Sequence, residues 1–522
     1  MRIAAIDIGT NSVHMIIAHV APDRTYDIVD REKDMVKLGA GTFRGGALDQ
    51  RALDAGVAAL RKFKTLIDRH GADVVLAVAT SAVREAANGP AFLELVKRET
   101  DLRPRVISGI EEARLLHVAV RDVIDLTDRN ALVIDIGGGS VELVVGNARS
   151  LPLAESVGLG VLRLRDHLGD ADPLPRDARK RLDALVREQA GPVIARGREL
   201  GFALAVGTSG TILDLGLAAH RARGNDRWMS PDGRVVPVED LRELADRLAS
   251  MSADERAAVS GIDAHRADTI HFGALLLVTL LDLAKADSIV LCDVSIREGL
   301  VLDHLSNPAA TRELRAEPGA QDVRLRSVLA LARRAGHLTP HEQRVAQLAL
   351  QVFDQTQTAH QFAAAERRIL ECAAWLHDIG RNIDFERHEH HAYYLIRYAG
   401  LRGFTEDELE LIALAARFHR KAGPKPRHRE YAALRPRGRR VVRVLAGILR
   451  LAEGLDRGHT QVVRFVRCDL TPQRLRVGVF AEADVELEVW AAQRKSALLA
   501  RALDREVLVE IGDYRVHPDP TA

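Results

Sequence analysis

Two carboxylates flank a run of three glycines in the segment LVIDIGGGSVE, residues 132–142. Asp135 ends an apolar stretch that predicts a buried strand, and Glu142 follows the glycine turn. Because the three glycines at 137–139 carry no Cβ, their backbone N–H groups can approach an oxyanion closely. Carboxylates beside such a phosphate cradle would repel the phosphate unless a divalent cation lay between them. The segment therefore predicts a phosphate site with Mg²⁺ (or Mn²⁺) bound by Asp135 and Glu142.

The same pattern occurs a second time, near the N-terminus. Residues 4–20 align without gaps on residues 132–148, so that Asp7 falls on Asp135, while His14 replaces the second carboxylate. Internal repetition is more informative than a single glycine motif. Each copy predicts a β-hairpin with a phosphate-sized turn, and Asp7 becomes a further candidate metal ligand. The motif GxxxxGK[ST] does not occur, which excludes a P-loop.

Further polar side chains follow other predicted strands. Arg84 comes after the buried stretch 74–80, and it could either bind a phosphate bidentately or pair with Glu85 at the surface. The turn 207–210 could bind phosphate at a helix start or be a plain strand-to-helix turn. Arg266 is either a phosphate contact or a charge at a helix start. The predicted phosphate contacts are Thr10, Asn11, Ser12, Arg84, Gly137, Gly138, Gly139, Ser140, Thr208, Ser209 and Arg266.

Two adjacent glutamates, Glu111 and Glu112, precede a helix predicted over 113–123. Acidic side chains are common at this end of a helix because they interact favourably with the helix dipole. The residues alone therefore do not separate a catalytic carboxylate from a stabilising one.

The strands and helices that position these side chains belong to more than one predicted domain. A chain of 522 residues has room for three or four domains. Residues 1–125 and 126–306 each begin with one of the hairpins and continue as alternating strands and helices, which predicts two α/β domains. Residues 306–321 are aperiodic and contain Pro and Gly, which predicts a linker. Residues 322–460 show helical periodicity, and residues 461–522 predict a small α+β domain.

The paired segments DIGTNS and DIGGGSVE resemble the phosphate motifs of the actin, sugar-kinase and heat-shock-ATPase superfamily. With ATSAVREAAN, ISGIEEARLL, AVGTSGTI and HRADTI in this order, the chain is similar to the exopolyphosphatase / guanosine pentaphosphate phosphohydrolase family. The resemblance implies two actin-like (ribonuclease H-like) α/β domains and a homodimer. It also implies a processive, metal-dependent exopolyphosphatase that releases orthophosphate from inorganic polyphosphate, with Glu112 as the general base.

Other functions remain open at this point. Hydrolysis of guanosine pentaphosphate (pppGpp) to ppGpp is the alternative within the same family. A nucleotide-driven switch or a sugar kinase belongs to another class, and neither a nucleoside pocket nor an acceptor base is clear in the sequence. The candidate catalytic residues are Glu112, Asp135 and Glu142, and the candidate metal ligands are Asp7, Asp135 and Glu142.

The helical region resembles the HD superfamily of metal-dependent phosphohydrolases through an ordered set of histidines and aspartates. These residues either form a second metal centre or only hydrogen-bond within an inherited fold. The set is His341, His377, Asp378, His391, His419 and Asp456.

The most basic stretch is 420–443, with ten Lys or Arg against one acid, Glu430. A solvated loop and a nucleic-acid surface are both open, since clustered cations bind any polyanion. The single aromatic residue, Tyr431, gives little support for stacking on bases. Binding of long inorganic polyphosphate is the favoured interpretation.

Composition excludes several classes of protein. The chain is 47% hydrophobic and 28% charged with a net charge of +1, so no nucleic-acid or membrane partner is expected. Cys292, Cys372 and Cys468 are far apart, which indicates a reducing compartment and no zinc–thiolate site. No apolar run reaches the length of a membrane span, and the N-terminus enters a strand at once, which predicts no signal peptide. We expect a cytoplasmic enzyme.

Overall fold

The computed structural model describes residues 1–22, 24–224, 230–307 and 322–512. The chain forms two compact units, residues 1–320 (unit 1) and residues 321–522 (unit 2). Of the predicted linker at 306–321, the structure describes residues 306 and 307. The rest of the linker lies outside the described residues.

The first sheet of unit 1 has the order β3-β2-β1-β4-β5, with β1, β2 and β3 antiparallel and β1, β4 and β5 parallel. The interior of β1 is almost wholly buried, as its apolar run predicts. The strands are β1 (Arg2–Ile8), β2 (Val13–Val20), β3 (Tyr26–Asp34), β4 (Val74–Ala79) and β5 (Arg105–Val106).

The second sheet of unit 1 has the order β10-β11-β9-β6-β7-β8. The part β8-β7-β6-β9-β11 repeats the order and the strand directions of the first sheet, so the repeat seen in the hairpins extends to the whole sheet. The strands are β6 (Ala131–Ile136), β7 (Val141–Gly146), β8 (Leu153–Val157), β9 (Leu204–Thr208), β10 (Val235–Pro237) and β11 (Ser288–Leu291).

Helices pack on both sheets, which confirms the predicted α/β class. The helices of unit 1 are α1 (Thr42–Gly45), α2 (Gln50–His70), α3 (Ser81–Glu85), α4 (Gly89–Thr100), α5 (Gly109–Val120), α6 (Val161–Leu168), α7 (Arg176–Leu200), α8 (Ser209–Ala222), α9 (Val238–Ser250), α10 (Ala253–Ala257), α11 (Ile270–Ala284) and α12 (Ile296–Ser306).

Helix α5 begins four residues earlier than the sequence predicted, at Gly109 rather than 113. The reason is a cap: the Ser108 hydroxyl accepts a hydrogen bond from the backbone N–H of Glu111 at 3.2 Å. Glu112 therefore lies inside the first turn of the helix, and the residue is only 6% exposed.

Unit 2 consists of ten helices and a three-stranded sheet of order β12-β13-β14 within the described ranges. Residues of this sheet and of the helices share one hydrophobic core. The predicted divisions after residues 125 and 460 stay predictions. The elements are α13 (Val323–Arg334), α14 (Pro340–Gln355), α15 (Gln357–His360), α16 (Ala364–Leu376), α17 (His388–Tyr398), α18 (Glu406–Arg417), α19 (Arg429–Ala433), α20 (Pro436–Gly454), β12 (Val463–Leu470), β13 (Arg474–Ala481), α21 (Glu486–Lys495), α22 (Ala497–Leu503) and β14 (Glu506–Ile511).

Among the residues that the structure describes, none of the helices combines the length and the apolar composition that a membrane span requires.

Candidate active site

The two glycine hairpins have the same turn. The N–H of Gly9 donates to the carbonyl oxygen of Ser12 at 3.1 Å, and the N–H of Gly137 donates to that of Ser140 at 3.0 Å. Each turn joins two central antiparallel strands of its sheet, β1 to β2 and β6 to β7. The sequence repeat is thus a structural repeat at the level of single hydrogen bonds.

The turn of the second hairpin, residues 137–140 (the second loop), is held by helix α6. Its three glycine carbonyl groups accept hydrogen bonds from residues of that helix. The first N–H groups of α6, from Val161 and Leu162, donate to the carbonyl oxygens of Gly137 and Gly138 at 3.0 and 2.8 Å. The Nε of Arg163 donates to the carbonyl oxygen of Gly139 at 2.8 Å. The three carbonyl oxygens of this loop are therefore already occupied by donors of the protein.

The first loop is fixed in a related manner. The N–H of Gly39 donates to the carbonyl oxygen of Thr10, and the N–H of Lys37 to that of Asn11, both at 2.8 Å. Within the described residues, the N–H groups of Thr10, Asn11, Gly138 and Gly139 donate to no protein acceptor. Such a set of unpaired amides matches the oxyanion cradle that the sequence predicts.

The loops approach each other so closely that they require glycine. A Cβ added at Gly138 would lie 3.0 Å from the Cβ of Thr10, and one at Gly139 would lie 2.0 Å from the hydroxyl oxygen of Ser81. A Cβ at Gly160, just before α6, would lie 2.3 Å from the backbone of the second loop. The glycines thus permit contact between the two sheets as well as access to a ligand.

Four carboxylates converge beside the loops. Asp7 lies on β1, Asp135 on β6, and Glu142 lies opposite Asp135 on β7, while Glu112 reaches the same place from α5. Burial raises the pKa of Asp7 and of Asp135 to about 6, and burial together with the negative charge of Asp135 raises the pKa of Glu142 to about 7. Burial, followed by the charges of Glu142 and Asp7, raises the pKa of Glu112 well above its usual value.

Hydroxyl groups orient two of these carboxylates. Thr208 Oγ1 donates a short hydrogen bond to Asp135, and the Ser156 hydroxyl donates to Glu142 at 2.7 Å. Ser140 also donates to Glu142. In this structure Thr208 therefore supports Asp135, a candidate metal ligand. The role that the sequence predicts for Thr208, contact with a phosphate, stays a prediction.

The carboxylate cluster fits a divalent cation. Asp7 Oδ1 and Asn11 Oδ1 are buried acceptors for which the described part of the chain offers no hydrogen-bond donor. Unpaired carboxylate oxygens that raise each other's pKa are stabilised by a bound cation, and Mg²⁺ prefers such oxygen ligands. Asp7, Asp135 and Glu142 are the residues that would hold it.

Arg84 lies between the predicted base and the first sheet. Its Nη1 donates to the carbonyl oxygen of Ile107 at 2.9 Å and to Glu112 Oε2 at 3.3 Å. The surface pair with Glu85 does not form, because Glu85 binds Arg163 at 2.7 Å instead. Arg84 thus lies beside Glu112, and its role as a phosphate contact stays a prediction.

Two predicted phosphate contacts lie further along the second sheet. Ser209 has a left-handed backbone with φ of 72°, and its hydroxyl accepts from the N–H of Ile212 at 3.4 Å. Arg266 donates to the carbonyl oxygen of Gly210 at 3.2 Å and to Asp214 at 2.8 Å. Their phosphate-binding role stays a prediction.

Sequence reasoning missed Ser156 and Arg163. Ser156 lies in the short strand β8, whose sequence LAESV contains no recognisable motif. Arg163 resembles any other basic residue of a helix, and its side chain also packs over the ring of Phe43 at 3.9 Å. Both roles depend on the pairing of distant elements.

Unit 2 brings most of its predicted set together. Asp378 Oδ1 lies 3.1 Å from His388 Nε2, 3.5 Å from His419 Nε2 and 3.8 Å from His377 Nε2. His341 Nδ1 lies 2.8 Å from Asp456 Oδ2. The structure does not bring the predicted His391 into this cluster, and His388, one helical turn earlier, lies there instead.

The atoms of this cluster are close enough to bind metal. His341, His377 and Asp378 form one group of ligand atoms within 4.8 Å, and Asp378, His388 and His419 form another. Although burial opposes it, the neighbouring His377 and the hydrogen bond from His388 keep the pKa of Asp378 well below its usual value. Asp378 is therefore an anion among histidines.

Several cations of the basic stretch 420–443 contact other side chains of unit 2. Arg420 lies 3.0 Å from His388 Nδ1, Lys421 pairs with Glu389 at 3.3 Å, and Arg437 pairs with Glu366 at 2.8 Å. Part of the stretch thus has a structural role. Its binding of polyphosphate stays a prediction.

Comparison with known proteins agrees with both units. A family model described as the Ppx/GppA phosphatase family matches residues 16–308, and one described as Ppx/GppA phosphatase, domain III, matches residues 323–506. A solved exopolyphosphatase from Cytophaga hutchinsonii is 29% identical with a TM-score of 0.56, covering 58% of this chain and 98% of that one. The Aquifex aeolicus member of the Ppx/GppA protein family is 28% identical with a TM-score of 0.50, covering 58% of this chain and 97% of that one. These likenesses confirm the predicted actin-like fold.

Proposed function

Since the chain belongs to the Ppx/GppA phosphatase family and is a hydrolase of phosphoanhydride bonds, we propose that it is an exopolyphosphatase. The observation that carries this proposal is the placing of unpaired amides from both hairpin loops beside a cluster of carboxylates. Amides of this kind bind the charged oxygens of a phosphoryl group, and the carboxylates supply both a base and metal ligands.

In the proposed reaction the terminal phosphoryl group lies between the two loops. The amides of Thr10, Asn11, Gly138 and Gly139 bind its oxygens, and Arg84 adds a guanidinium. Ser12, Gly137 and Ser140 shape the turns.

Glu112 orients and deprotonates the attacking water. The water oxygen forms a bond to phosphorus, the bridging P–O bond breaks, and the electron pair remains on the shortened chain as orthophosphate leaves. The proton passes to Glu112, whose carboxylate is surrounded by Glu142, Asp7 and Arg84. Neighbouring negative charges make this carboxylate a better proton acceptor.

Asp135, Glu142 and Asp7 would hold Mg²⁺ or Mn²⁺. When bound, the ion would neutralise charge on the phosphate and on the carboxylates. We also expect the enzyme to be a cytoplasmic homodimer and to bind polyphosphate along residues 420–443.

The family also includes hydrolysis of guanosine pentaphosphate, so the substrate is the point to test. We expect wild-type protein with Mg²⁺ to release orthophosphate from long-chain polyphosphate faster than from guanosine pentaphosphate. Release from both should be measured side by side with a colorimetric phosphate assay. Release from the nucleotide alone would replace the proposal by its alternative.

A second proposed property is metal binding in unit 2, favoured by the two overlapping ligand groups around Asp378. Imidazole-rich sites suit transition metals better than Mg²⁺. Protein loaded with Mn²⁺ and then dialysed should retain the metal, and Asp378→Asn should lose that retained fraction, as measured by plasma emission spectroscopy.

The matched control is Asp354→Asn, because Asp354 is an exposed carboxylate of unit 2 that pairs with Arg367. It should retain Mn²⁺ like wild type. If Asp378→Asn retained as much Mn²⁺ as wild type, the cluster would not be a metal site and its side chains would only hydrogen-bond to one another.

A further inference from the structure

The carboxylate of Asp268 contacts the two elements that hold the glycine loops. Asp268 lies between the 3₁₀ turn Ala264–Arg266 and helix α11, which packs on the second sheet of unit 1. Its Oδ2 accepts a hydrogen bond from Lys37 Nζ at 2.8 Å and one from Arg165 Nη1 at 3.0 Å. One oxygen atom therefore joins three segments that are far apart in the sequence.

Lys37 holds the first loop, residues 9–12, through its backbone. Its N–H donates a hydrogen bond to the carbonyl oxygen of Asn11 at 2.8 Å. The backbone of Lys37 is left-handed, with φ of 48°, a conformation that an L-residue adopts only where the surrounding structure requires it. The ammonium group that binds Asp268 thus belongs to a residue whose backbone is fixed against the first loop.

Arg165 belongs to helix α6, whose first turn holds the second loop. It follows Val161 by four residues, and the N–H of Val161 donates to the carbonyl oxygen of Gly137 at 3.0 Å. Residues four apart in a helix are neighbours on the same face, joined by the hydrogen bonds of one turn. A displacement of the Arg165 side chain by its partner is therefore transmitted to the second loop over a single turn.

Asp268 is anchored on its own side of unit 1 by a buried cation. The carbonyl oxygen of Ala267, directly before it, accepts a hydrogen bond from Arg256 Nε at 2.6 Å. The guanidinium of Arg256 also donates to the carbonyl oxygen of Met251 at 2.6 Å and to Asp172 Oδ1 at 2.7 Å, and the residue is only 1% exposed. A planar guanidinium whose nitrogens are all bound holds its partners in one geometry. The backbone that carries the carboxylate is thereby fixed.

The ion pair between Asp268 and Lys37 is too exposed to add much to the stability of the fold. The two side chains are 36% and 38% exposed. Lys37 and Arg165 carry like charges, which would repel each other without the carboxylate between them. The shared carboxylate therefore defines the distance between two elements more than it stabilises either of them.

We propose that Asp268 is a positioning residue for the reaction, because it sets the distance between the two glycine loops and so their fit to one phosphoryl group. It acts through Lys37 on the first loop and through Arg165 on the second, without contacting the substrate. This inference rests on the proposed function and adds to it a residue outside the catalytic centre. Since rates depend on the placing of the reacting groups to within about 1 Å, a small change in loop separation lowers kcat more than it weakens binding.

The first test is Asp268→Asn in the full-length protein with Mg²⁺ and long-chain polyphosphate. We expect kcat to fall about 10- to 10²-fold while KM changes less than about threefold, because each loop still binds phosphate oxygens with its own amides. The melting temperature should stay within about 3 °C of the wild-type value, since the broken contacts are partly exposed. Asp268→Glu keeps the negative charge and should regain part of the lost kcat.

A second variant, Lys37→Gln, measures the coupling between the two residues. It should lower kcat about tenfold in the wild-type background and less than about twofold in the Asp268→Asn background, because there the ammonium group has already lost its partner. Independent structural effects would multiply instead. If Asp268→Asn fails to fold, the kcat and KM of Lys37→Gln alone carry the test.

The matched control is Asp170→Asn, since Asp170 pairs with Nε of the same Arg165 at 3.6 Å and its side chain is 76% exposed. It should keep near wild-type kcat and KM. With an active wild type, unchanged kcat in Asp268→Asn, a change in KM alone, independent losses in the double variant or an equal loss in Asp170→Asn would each overturn the inference and leave the proposed function standing.

A failure of the proposed function has a different signature. If wild type releases no orthophosphate from polyphosphate, the proposed function is overturned, and guanosine pentaphosphate becomes the substrate for the same set of variants, because it also presents a terminal phosphoryl group. Inactivity of wild type on both substrates would overturn the function and the inference together.

Discussion

Glu112→Gln is expected to lower kcat for orthophosphate release by about 10²- to 10⁴-fold, the range that a general base contributes. The carboxamide cannot accept the proton of the attacking water, although it has nearly the same shape. Polyphosphate binding should persist, because the amides of the two loops do not depend on Glu112. Steady-state kinetics and equilibrium binding on the same preparation would measure both effects.

The neighbouring glutamate provides the control. Glu111 lies on the same helical turn but pairs with Arg114 at 2.8 Å, away from the carboxylate cluster. Glu111→Gln should therefore keep near wild-type turnover. Full activity in Glu112→Gln, or loss of substrate binding together with turnover, would contradict its role as the base.

Mg²⁺ affinity of unit 1 is expected to rise steeply with pH up to about 7 and to level off above it. The proposed ligands Asp7 and Asp135 have pKa values of about 6, and Glu142 of about 7, so below these values protons occupy the sites that the cation needs. Each proton that must leave costs about tenfold in apparent affinity per pH unit. Calorimetric titration between pH 5.5 and pH 8 would measure the slope.

In the absence of metal, the thermal stability of the protein is expected to fall as pH rises, whereas the affinity for Mg²⁺ rises. A carboxyl whose pKa is higher in the folded protein than in the unfolded chain stabilises the fold at low pH, and this stabilisation is lost as pH rises through the folded value. The melting temperature of the metal-free protein should therefore fall between pH 5 and pH 7, and Mg²⁺ should restore it at pH 8. Asp135→Asn should flatten both profiles, and unchanged profiles would argue against these ligands.

The sequence predicts best where the chemistry is local. The glycine turns and the carboxylates Asp7 and Asp135 belong to short segments whose residue types leave few conformations open, and the structure places them together as expected. The internal repeat predicts two similar hairpins, and in the structure Gly9 and Gly137 form matching hydrogen bonds.

Roles that depend on tertiary pairing could not be predicted. Thr208 contacts Asp135 because β9 lies beside β6, which the turn sequence does not reveal. His388 replaces His391 because the direction of α17 decides which face meets Asp378.

Arg163 connects the two sheets of unit 1 through one guanidinium. Its Nε binds the carbonyl oxygen of Gly139 in the second sheet, and its Nη2 binds Glu85, which follows Arg84 on α3 of the first sheet. The bond to Gly139 stays within the half of unit 1 that carries α6, whereas the two bonds to Glu85 join that half to the other. A motion that separated the two sheets would therefore break only the ion pair, which is worth about 1 kcal/mol or less because the Glu85 side chain is 41% exposed. The contact thus sets the relative position of the sheets while offering little resistance to their movement.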